Sequence, residues 1–541
     1  MNADTRPEAP ASPERGLVRG LVALGLALAP ALLAIGSTPG FTTQDGPAHL
    51  SSARILNASL AGHSPYAETF RVAWEPLPNW AGHLLTMLAI AACSPEVANR
   101  LVAVATLVGF GSAIVALRVV VAGSRGVEVA ALLAAVLALN VTWLLGFTSF
   151  LLGATVALLT LAAWWSGRGG FGLGQVVALA SLLVVGYFCH PISLGLTLGG
   201  LAILVIATPG PRRLVRAGWT ASSGATLIPL AMAYRSLTRS GGGLDPVWGH
   251  WSPSISGCVS QLGWVDPLSL AAKTASPFDA RLAMVPPAAM APALWAVLAL
   301  GGMFALTWGR RNPERLGWLV LAIGLLAVGL VSPDTLGVKH GHFLPQRVVL
   351  LGLVALVPWL DLGTGRIGAK GAVAALVVAL SVQSAFVWDY ARNCRDRVAP
   401  FLKIAARFES GTRSATLLNG IRGRFRANPL LHADGLIAAS TDSVFWTNYE
   451  TAQYYFPVKV RSDVDHPVAT LFEEVAILDE PRDVDRRTRL WRDLLRDHAD
   501  QIDRIIEWQS DADLDAVTSH DYRVTDGEGP LRVWSRLPRS R

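Results

Sequence analysis

The sequence predicts a membrane α-helical protein with about 11 transmembrane helices, juxtamembrane helices in its first outer loop, and a C-terminal soluble α+β domain. Two observations predict this class. The 541 residues are 52% hydrophobic and only 16% charged, which is unusually apolar for a soluble chain of this length. Most of the acidic residues follow Trp388, whereas the chain before it consists of apolar runs separated by short basic clusters. One part of the chain therefore prefers lipid and the other prefers water.

Twelve apolar segments in the first part approach the length of about 20 residues that a helix needs to cross the hydrocarbon core. They lie near residues 17–37, 78–93, 97–121, 127–146, 148–166, 174–190, 191–208, 216–235, 288–308, 316–332, 346–361 and 371–388. The first segment resembles a signal peptide, but further apolar segments follow it. We therefore interpret it as an uncleaved helix after a cytoplasmic tail at 1–16.

Basic residues indicate which segments cross the membrane. If all twelve crossed from an inner N-terminus, the basic loops 212–216 and 310–315 would lie outside, against the positive-inside rule. Segment 78–93 is short and polar at Asn79 and His83, so we predict that it dips into the interface without crossing. Eleven crossings then place the basic loops inside and the C-terminal domain outside.

This topology predicts the domain organisation. The transmembrane domain covers 17–388, and the extracytoplasmic α+β domain covers 389–541. The outer loops of the transmembrane domain are 38–96, 236–287 and 332–346. Within the soluble domain, 485–500 has a helical pattern, whereas 443–446, 454–458 and 531–534 are rich in strand-forming residues.

The formal net charge of +7 does not indicate nucleic-acid binding, because the basic residues of the membrane part lie between apolar runs and orient helices there. We therefore expect no nucleic-acid partner. The four cysteines include no Cys-x-x-Cys pair and no histidine at metal spacing. Cys258 and Cys394 could form a disulfide outside the cytoplasm, and two free thiols are an equally open alternative.

The sharpest local motif, Thr43 to Leu50, follows the first span directly. Asp45 lies where this helix meets water, Pro47 suits a first helical turn, and His49 follows one turn later on the same face. Asp45 could simply be the N-cap of a helix. A capped helix would also hold the carboxylate rigidly, so a structural and a chemical role are compatible.

The order of these features resembles that of the GT-C membrane glycosyltransferases, which include protein O-mannosyltransferases and lipid A aminoarabinose transferases. The resemblance covers roughly residues 1–390. It consists of one span, the acidic Asp45 at the start of the first outer loop, a juxtamembrane stretch at 65–80, and the sequence 95–101 leading into the next span. This chain departs from the family pattern in two ways, because Gln44 precedes Asp45 where many members have paired acidic residues, and no Asp-x-Asp pair is present.

The resemblance implies transfer of a sugar from a polyprenyl-phosphate donor at the outer face of the cytoplasmic (inner) membrane. Asp45 would be the general base that accepts the proton of an acceptor hydroxyl. The implied partners are the lipid-linked sugar donor, membrane lipids, and an acceptor that is a glycan, a lipid or a protein. The cofactor is unknown: a divalent cation is possible, but the sequence contains no metal motif.

A second cluster, Lys339 to Arg347, lies in the outer loop before the span at 346–361. His340, His342 and Arg347 could bind the donor phosphate, with the forked guanidinium of Arg347 best suited to it. The cluster could equally be an interfacial anchor that reaches lipid headgroups. Its His-x-His pair lacks a carboxylate at fixed spacing, so it is a weak metal signal.

In the first outer loop, His49 and Arg71 are the candidate substrate-binding residues. The alternative for this loop is an amphipathic helix in the membrane interface. Tryptophans in loop 236–287 suit either a carbohydrate site or the interfacial belt.

The residues leave two other functions open. A transporter or flippase usually carries ionisable groups at mid-membrane, whereas segments 101–117 and 371–382 contain none. A non-catalytic scaffold for envelope assembly, with the soluble domain as its binding module, is compatible with the missing second acidic residue.

Overall fold

The computed structural model describes residues 13–62, 66–210, 212–240, 246, 301–304, 313–333, 335–337, 342–362, 367–421, 425, 427–468, 471–477 and 484–538. Most of the outer loop predicted at 236–287 and of the apolar segment at 288–308 lies outside these residues. Lys339, His340 and Cys258 also lie outside them.

Helices form most of the described chain. In chain order they are α1 (Pro13–Ser37), α2 (Gly46–Leu60), α3 (Trp80–Ala92), α4 (Pro95–Ala122), α5 (Val127–Ala138), α6 (Val141–Leu144), α7 (Thr148–Gly167), α8 (Leu173–Cys189), α9 (Pro191–Ala207), α10 (Arg213–Ala225), α11 (Ile228–Ser240), α12 (Leu316–Val331), α13 (Leu344–Leu356), α14 (Ile367–Ala405), α15 (Asp434–Thr441), α16 (Val484–His498) and α17 (Ala512–Thr518). The described strands are β1 (Phe70–Val72), β2 (Arg413–Leu418), β3 (Val444–Phe445), β4 (Val458–Val460), β5 (Arg504–Trp508), β6 (Tyr522–Glu528) and β7 (Leu531–Arg536).

Four of the described helices are long and apolar enough to cross a bilayer: α1, α4, α7 and the part of α14 from Lys370 to Ala405. Shorter apolar helices of 10–17 residues accompany them, including α3, α5, α8, α9 and α13. The chain is therefore a multi-pass membrane protein. The predicted number of 11 crossings stays a prediction, as does the dip at 78–93, where α3 has 13 residues.

Close helix packing forms the core of the membrane part. A single apolar cluster includes the buried side chains of Leu28, Phe110 and Trp143. At Gly20 on α1, an added Cβ would lie 2.6 Å from side-chain atoms of both Val115 and Val127. Small residues allow helix backbones to approach this closely in membranes, where lipid tails give little hydrophobic drive for association.

Two of the apolar segments are broken. The predicted span at 127–146 ends as α5 and restarts as the short α6, because the Asn140 side chain accepts a hydrogen bond from the backbone N–H of Trp143 and so caps a new helix. The predicted span at 216–235 is divided into α10 and α11, and Pro229 lies in the first turn of α11, where a missing N–H is tolerated.

The C-terminal part contains the predicted α+β structure, with a five-stranded sheet of order β3-β2-β5-β7-β6. Strands β2, β3 and β5 are parallel, whereas β7 pairs antiparallel with β5 and β6. The helix predicted at 485–500 is confirmed as α16, which buries Trp491, Leu494 and Leu495. Helix α14 continues across residue 389, where the soluble domain is predicted to begin, and its Phe401 ring stacks on Trp508 of β5. The domain boundary itself stays a prediction.

The segment 38–96, which is predicted to be the first outer loop, is joined to the C-terminal part in three ways. Strands β1 and β4 pair antiparallel, with Phe70 opposite Val460. Arg54 of α2 donates two hydrogen bonds to Asp442, at 2.5 and 2.9 Å. Helix α15 packs so closely on α2 that a Cβ at Gly435 would lie 2.2 Å from the carbonyl oxygen of Pro47. These contacts bring C-terminal residues over the start of α2.

Candidate functional site

The site forms around Asp45, at the start of α2. Asp45 occupies the N-cap position, but its side chain makes no capping hydrogen bond. The carboxylate is instead directed to other groups, and its side chain is 14% exposed. The Asp45 backbone N–H donates to the carbonyl of Leu145 at 3.1 Å. This approach requires a glycine at 146, where φ is +85° and an added Cβ would lie 2.9 Å from the Asp45 nitrogen.

Three side chains contact the Asp45 carboxylate. Gln44 Nε2 donates to it at 3.4 Å, and the Tyr449 hydroxyl forms a hydrogen bond with it. His432 Nε2 lies 3.8 Å away. Burial lowers the pKa of His432 to about 3, so this ring is neutral at pH 7 and its contact with Asp45 is not an ion pair.

Burial also raises the pKa of Asp45 to about 6, and the charges of His49 and Arg347 oppose this rise. Arg347 is therefore close enough to Asp45 to act on it electrostatically. A carboxyl group with a raised pKa beside cationic groups in a partly buried site is typical of a group that accepts or donates a proton.

Next to Asp45, two histidines surround a carboxylate from the C-terminal part. His49 Nδ1 makes a short contact with one oxygen of Glu450, and His83 Nε2 lies 3.1 Å from the other. The side chains of His83 and Glu450 are fully buried. Burial alone would raise the pKa of Glu450, but the two histidines hold it well below the ordinary value. Burial alone would likewise lower the pKa of His49, but Glu450 raises it to about 9.

Arg347 lies in the first turn of α13 and is 7% exposed. Its guanidinium carbon lies 4.4 Å from the ring centroid of Phe147 and 5.2 Å from that of Phe150. Its Nη1 is 3.0 Å from His190 Nε2. Its Nε is buried and has no hydrogen-bond partner among the described residues. The arginine is thus held by aromatic rings, and its hydrogen-bonding capacity is incompletely used.

Of the residues that the sequence predicts for the site, the structure places Asp45, His49 and Arg347 near one another. His342 is exposed just before α13, and His340 lies outside the described residues. Arg71 is exposed on β1, opposite Lys459, and faces solvent rather than the buried cluster.

Sequence reasoning missed Tyr449, Glu450 and His190 as residues of the site. Glu450 is 401 residues from His49 in the chain, and no local pattern marks it. His190 does cap a helix, since its Nδ1 accepts the N–H of Ile192, but it also contacts Arg347. His83 was visible as a polar residue within an apolar segment, which is a signal of function in membrane helices.

No protein-family model matches the chain, and no curated protein matches its sequence. The chain is similar to the crystal structure of ArnT from Cupriavidus metallidurans bound to undecaprenyl phosphate, with a TM-score of 0.52 and 12% identity over 96% of this chain and 98% of that chain. It is also similar to the arabinofuranosyltransferase AftD from Mycobacteria, with a TM-score of 0.49 and 15% identity over 98% of this chain and 40% of that chain. ArnT in the apo state matches with a TM-score of 0.44 and 14% identity over 97% of this chain and 99% of that chain.

The similarity to lipid-bound ArnT, a lipid A aminoarabinose transferase, shows that the chain has the GT-C fold. This confirms the fold that the sequence resemblance predicts. At 12% identity the similarity establishes the fold alone.

Proposed function

We propose that the protein is a membrane glycosyltransferase that moves a sugar from a polyprenyl-phosphate donor to an acceptor hydroxyl, with Asp45 as general base. The observation that carries this proposal is the presence of the Asp45 carboxylate and the Arg347 guanidinium in one site of a GT-C fold. A carboxylate that does not cap its helix lies within electrostatic range of a buried arginine whose hydrogen-bonding capacity is incompletely used. An acceptor hydroxyl needs the first group, and a phosphate leaving group needs the second.

The reaction transfers the sugar by substitution at its anomeric carbon. The acceptor hydroxyl gives its proton to the Asp45 carboxylate as its oxygen forms a bond to the anomeric carbon. The bond from that carbon to the phosphate oxygen breaks, and the lipid phosphate leaves with the electron pair. The charge of Arg347 stabilises the negative charge that develops on this phosphate.

The contact between Arg347 and His190 supports an anion at this position. His190 Nδ1 accepts the N–H of Ile192, so the neutral ring carries its proton on Nε2. That Nε2–H faces Nη1 of Arg347, which is also a donor. Two donors that face each other are satisfied by an acceptor shared between them, and a phosphate oxygen supplies one. ArnT has been crystallised with undecaprenyl phosphate, which supports a polyprenyl phosphate as the class of donor.

The test replaces Asp45 by Asn and measures transfer from a labelled polyprenyl-phosphate sugar in membranes. Asn has nearly the same shape but cannot accept the proton, so we expect transfer to fall by about 100-fold or more. Asp493→Asn, at a side chain that is 54% exposed on α16, is the matched control and should keep full activity. Full activity of a membrane-inserted Asp45→Asn protein would contradict the proposed base.

We also propose the orientation on which this function depends, with the N-terminus inside and the domain from about 389 outside the inner membrane. The basic loops support it through the positive-inside rule. Ser94 and Arg125 lie at opposite ends of α4, and both are exposed. Cysteines introduced at these two positions, in a chain without its native cysteines, should be labelled from outside at 94 and from inside at 125. Labelling of both from one side would refute this orientation.

A further inference from the structure

Three buried side chains of the kind that bind metals meet where the C-terminal part covers the first outer loop. Among the described residues, His49, His83 and Glu450 each offer one ligand atom, and these atoms lie within 4.8 Å of one another. His49 belongs to α2, His83 to α3, and Glu450 to the turn Tyr449–Ala452. The three ligand atoms therefore come from three separate elements.

Backbone carbonyls determine where the two histidines carry their protons. His49 Nε2 lies 3.2 Å from the carbonyl oxygen of Gly146, and His83 Nδ1 lies 3.3 Å from that of Asn79. A carbonyl oxygen only accepts hydrogen bonds, so each of these ring nitrogens donates its N–H. In the neutral rings, the other nitrogens therefore direct their lone pairs at Glu450. The Glu450 carboxylate oxygens are acceptors as well.

Acceptor atoms that face one another need positive charge between them. One added proton, on His49, would satisfy only its own contact and leave the lone pair of His83 facing Glu450. Two added protons would make both histidines cationic, whereas one divalent cation would bind the lone pairs of all three groups. Both solutions leave one net positive charge on the cluster. Two imidazolium rings, however, would place like charges at a ring separation of 5.7 Å in a buried site. Burying each extra charge is costly, and the two would repel.

We propose that His49, His83 and Glu450 bind a divalent cation of the Zn²⁺ class, which fastens the C-terminal part to the first outer loop beside Asp45. Two imidazole nitrogens and one carboxylate form a ligand set that suits Zn²⁺ rather than Mg²⁺ or Ca²⁺. The hydrogen bonds from the far ring nitrogens to backbone carbonyls are the arrangement that orients histidine ligands toward a metal.

The cation would add a fourth link to the β1–β4 pairing, the Arg54–Asp442 ion pair and the packing of α15 on α2. It would also hold His49 in place one helical turn from Asp45. The inference rests on the three side chains and their carbonyl partners, and it does not depend on the proposed sugar transfer.

The test measures the metal content of the purified full-length protein. The protein is stripped with a chelator, incubated with Zn²⁺, desalted, and analysed by inductively coupled plasma mass spectrometry. The wild-type protein should retain about one Zn²⁺ per chain. The Glu450→Gln and His83→Gln variants should each retain at least tenfold less Zn²⁺ per chain. His498→Gln changes another histidine paired with a carboxylate, Asp465, in the C-terminal part and should retain the metal.

A second measurement distinguishes a metal from packing alone. Zn²⁺ should raise the Tm of the stripped wild type and leave that of Glu450→Gln unchanged, and Co²⁺ should give a visible absorption band only where the site is intact. Wild-type protein that retains neither ion would overturn the proposal and leave the three groups as buried ion pairs. Loss of transfer in Asp45→Asn with full metal content would concern the proposed function only, so the two failures are distinguishable.

Discussion

Two buried arginines in this protein have opposite hydrogen-bonding environments. Arg487 of α16, 3% exposed, is surrounded by acceptors: Nε donates to the carbonyl of Val475 at 2.6 Å, Nη1 to Asn419 Oδ1 at 2.6 Å, and Nη2 to the carbonyl of Ala476 at 3.5 Å. Arg347 is 7% exposed, but it faces a histidine nitrogen and two aromatic rings, and its Nε has no partner among the described residues.

The difference separates a structural charge from a charge that can bind a ligand. A buried guanidinium whose nitrogens all have protein acceptors stabilises the fold and has little hydrogen-bonding capacity left for a ligand. A buried guanidinium that lacks acceptors carries a desolvation cost that an incoming anion can offset.

The largest effect is expected for Arg347→Gln, measured as sugar transfer in membranes. Removing the charge opposite the leaving phosphate should lower transfer by about 100-fold, in the range found when one stabilising donor is lost. The Tm should change little, because Arg347 donates to few protein acceptors. Unchanged transfer in Arg347→Gln would show that Arg347 does not stabilise the leaving phosphate.

The opposite pattern is expected for Arg487→Met. Three acceptors, the Val475 and Ala476 carbonyls and Asn419, lose a charged donor. The free energy of unfolding of the C-terminal part should therefore fall by about 2 kcal/mol. Chemical denaturation monitored by tryptophan fluorescence measures it, and transfer per folded molecule should stay near wild type. An unaltered denaturation midpoint would show that Arg487 is not structural.

A smaller effect is expected for His190→Phe, which keeps a ring beside Phe150 but removes the Nε2 donor next to Arg347. The shared phosphate oxygen loses one of its two hydrogen-bond donors. Transfer should therefore fall about tenfold, mainly because the lipid-linked sugar binds more weakly. The KM for the lipid donor is the quantity to measure. A KM equal to that of wild type would place the anion away from His190.

The smallest effect is expected for Arg54→Ala. Its ion pair with Asp442 is 39% and 38% exposed, so solvent screens it and its removal should cost less than about 1 kcal/mol of stability. The Tm of the purified protein measures this loss. A loss of stability as large as that of Arg487→Met would mean that partly exposed ion pairs dominate the contact between segment 38–96 and the C-terminal part.

Local patterns in the sequence predict much of this fold, because hydrophobic runs and capping residues act over a few turns of helix. The helices of the membrane part, α16 and the position of Asp45 follow from such patterns. Breaks within two apolar segments were missed, since Asn140 and Pro229 act through one side chain or one absent N–H. The pairing of β1 with β4 was also missed, because residues far apart in the chain leave no shared local pattern.

The sequence by itself determined which part of the chain prefers lipid and which prefers water, and it singled out one carboxylate and one arginine for the site. Hydropathy and positive charge act on each segment separately, so their effect can be predicted from the sequence without knowledge of the tertiary structure. Only the tertiary structure decided what surrounds them: Glu450 between His49 and His83, His190 against Arg347, and Tyr449 on Asp45. Burial and donor–acceptor matching depend on residues up to 401 positions apart, and these relations exist only once the chain has folded.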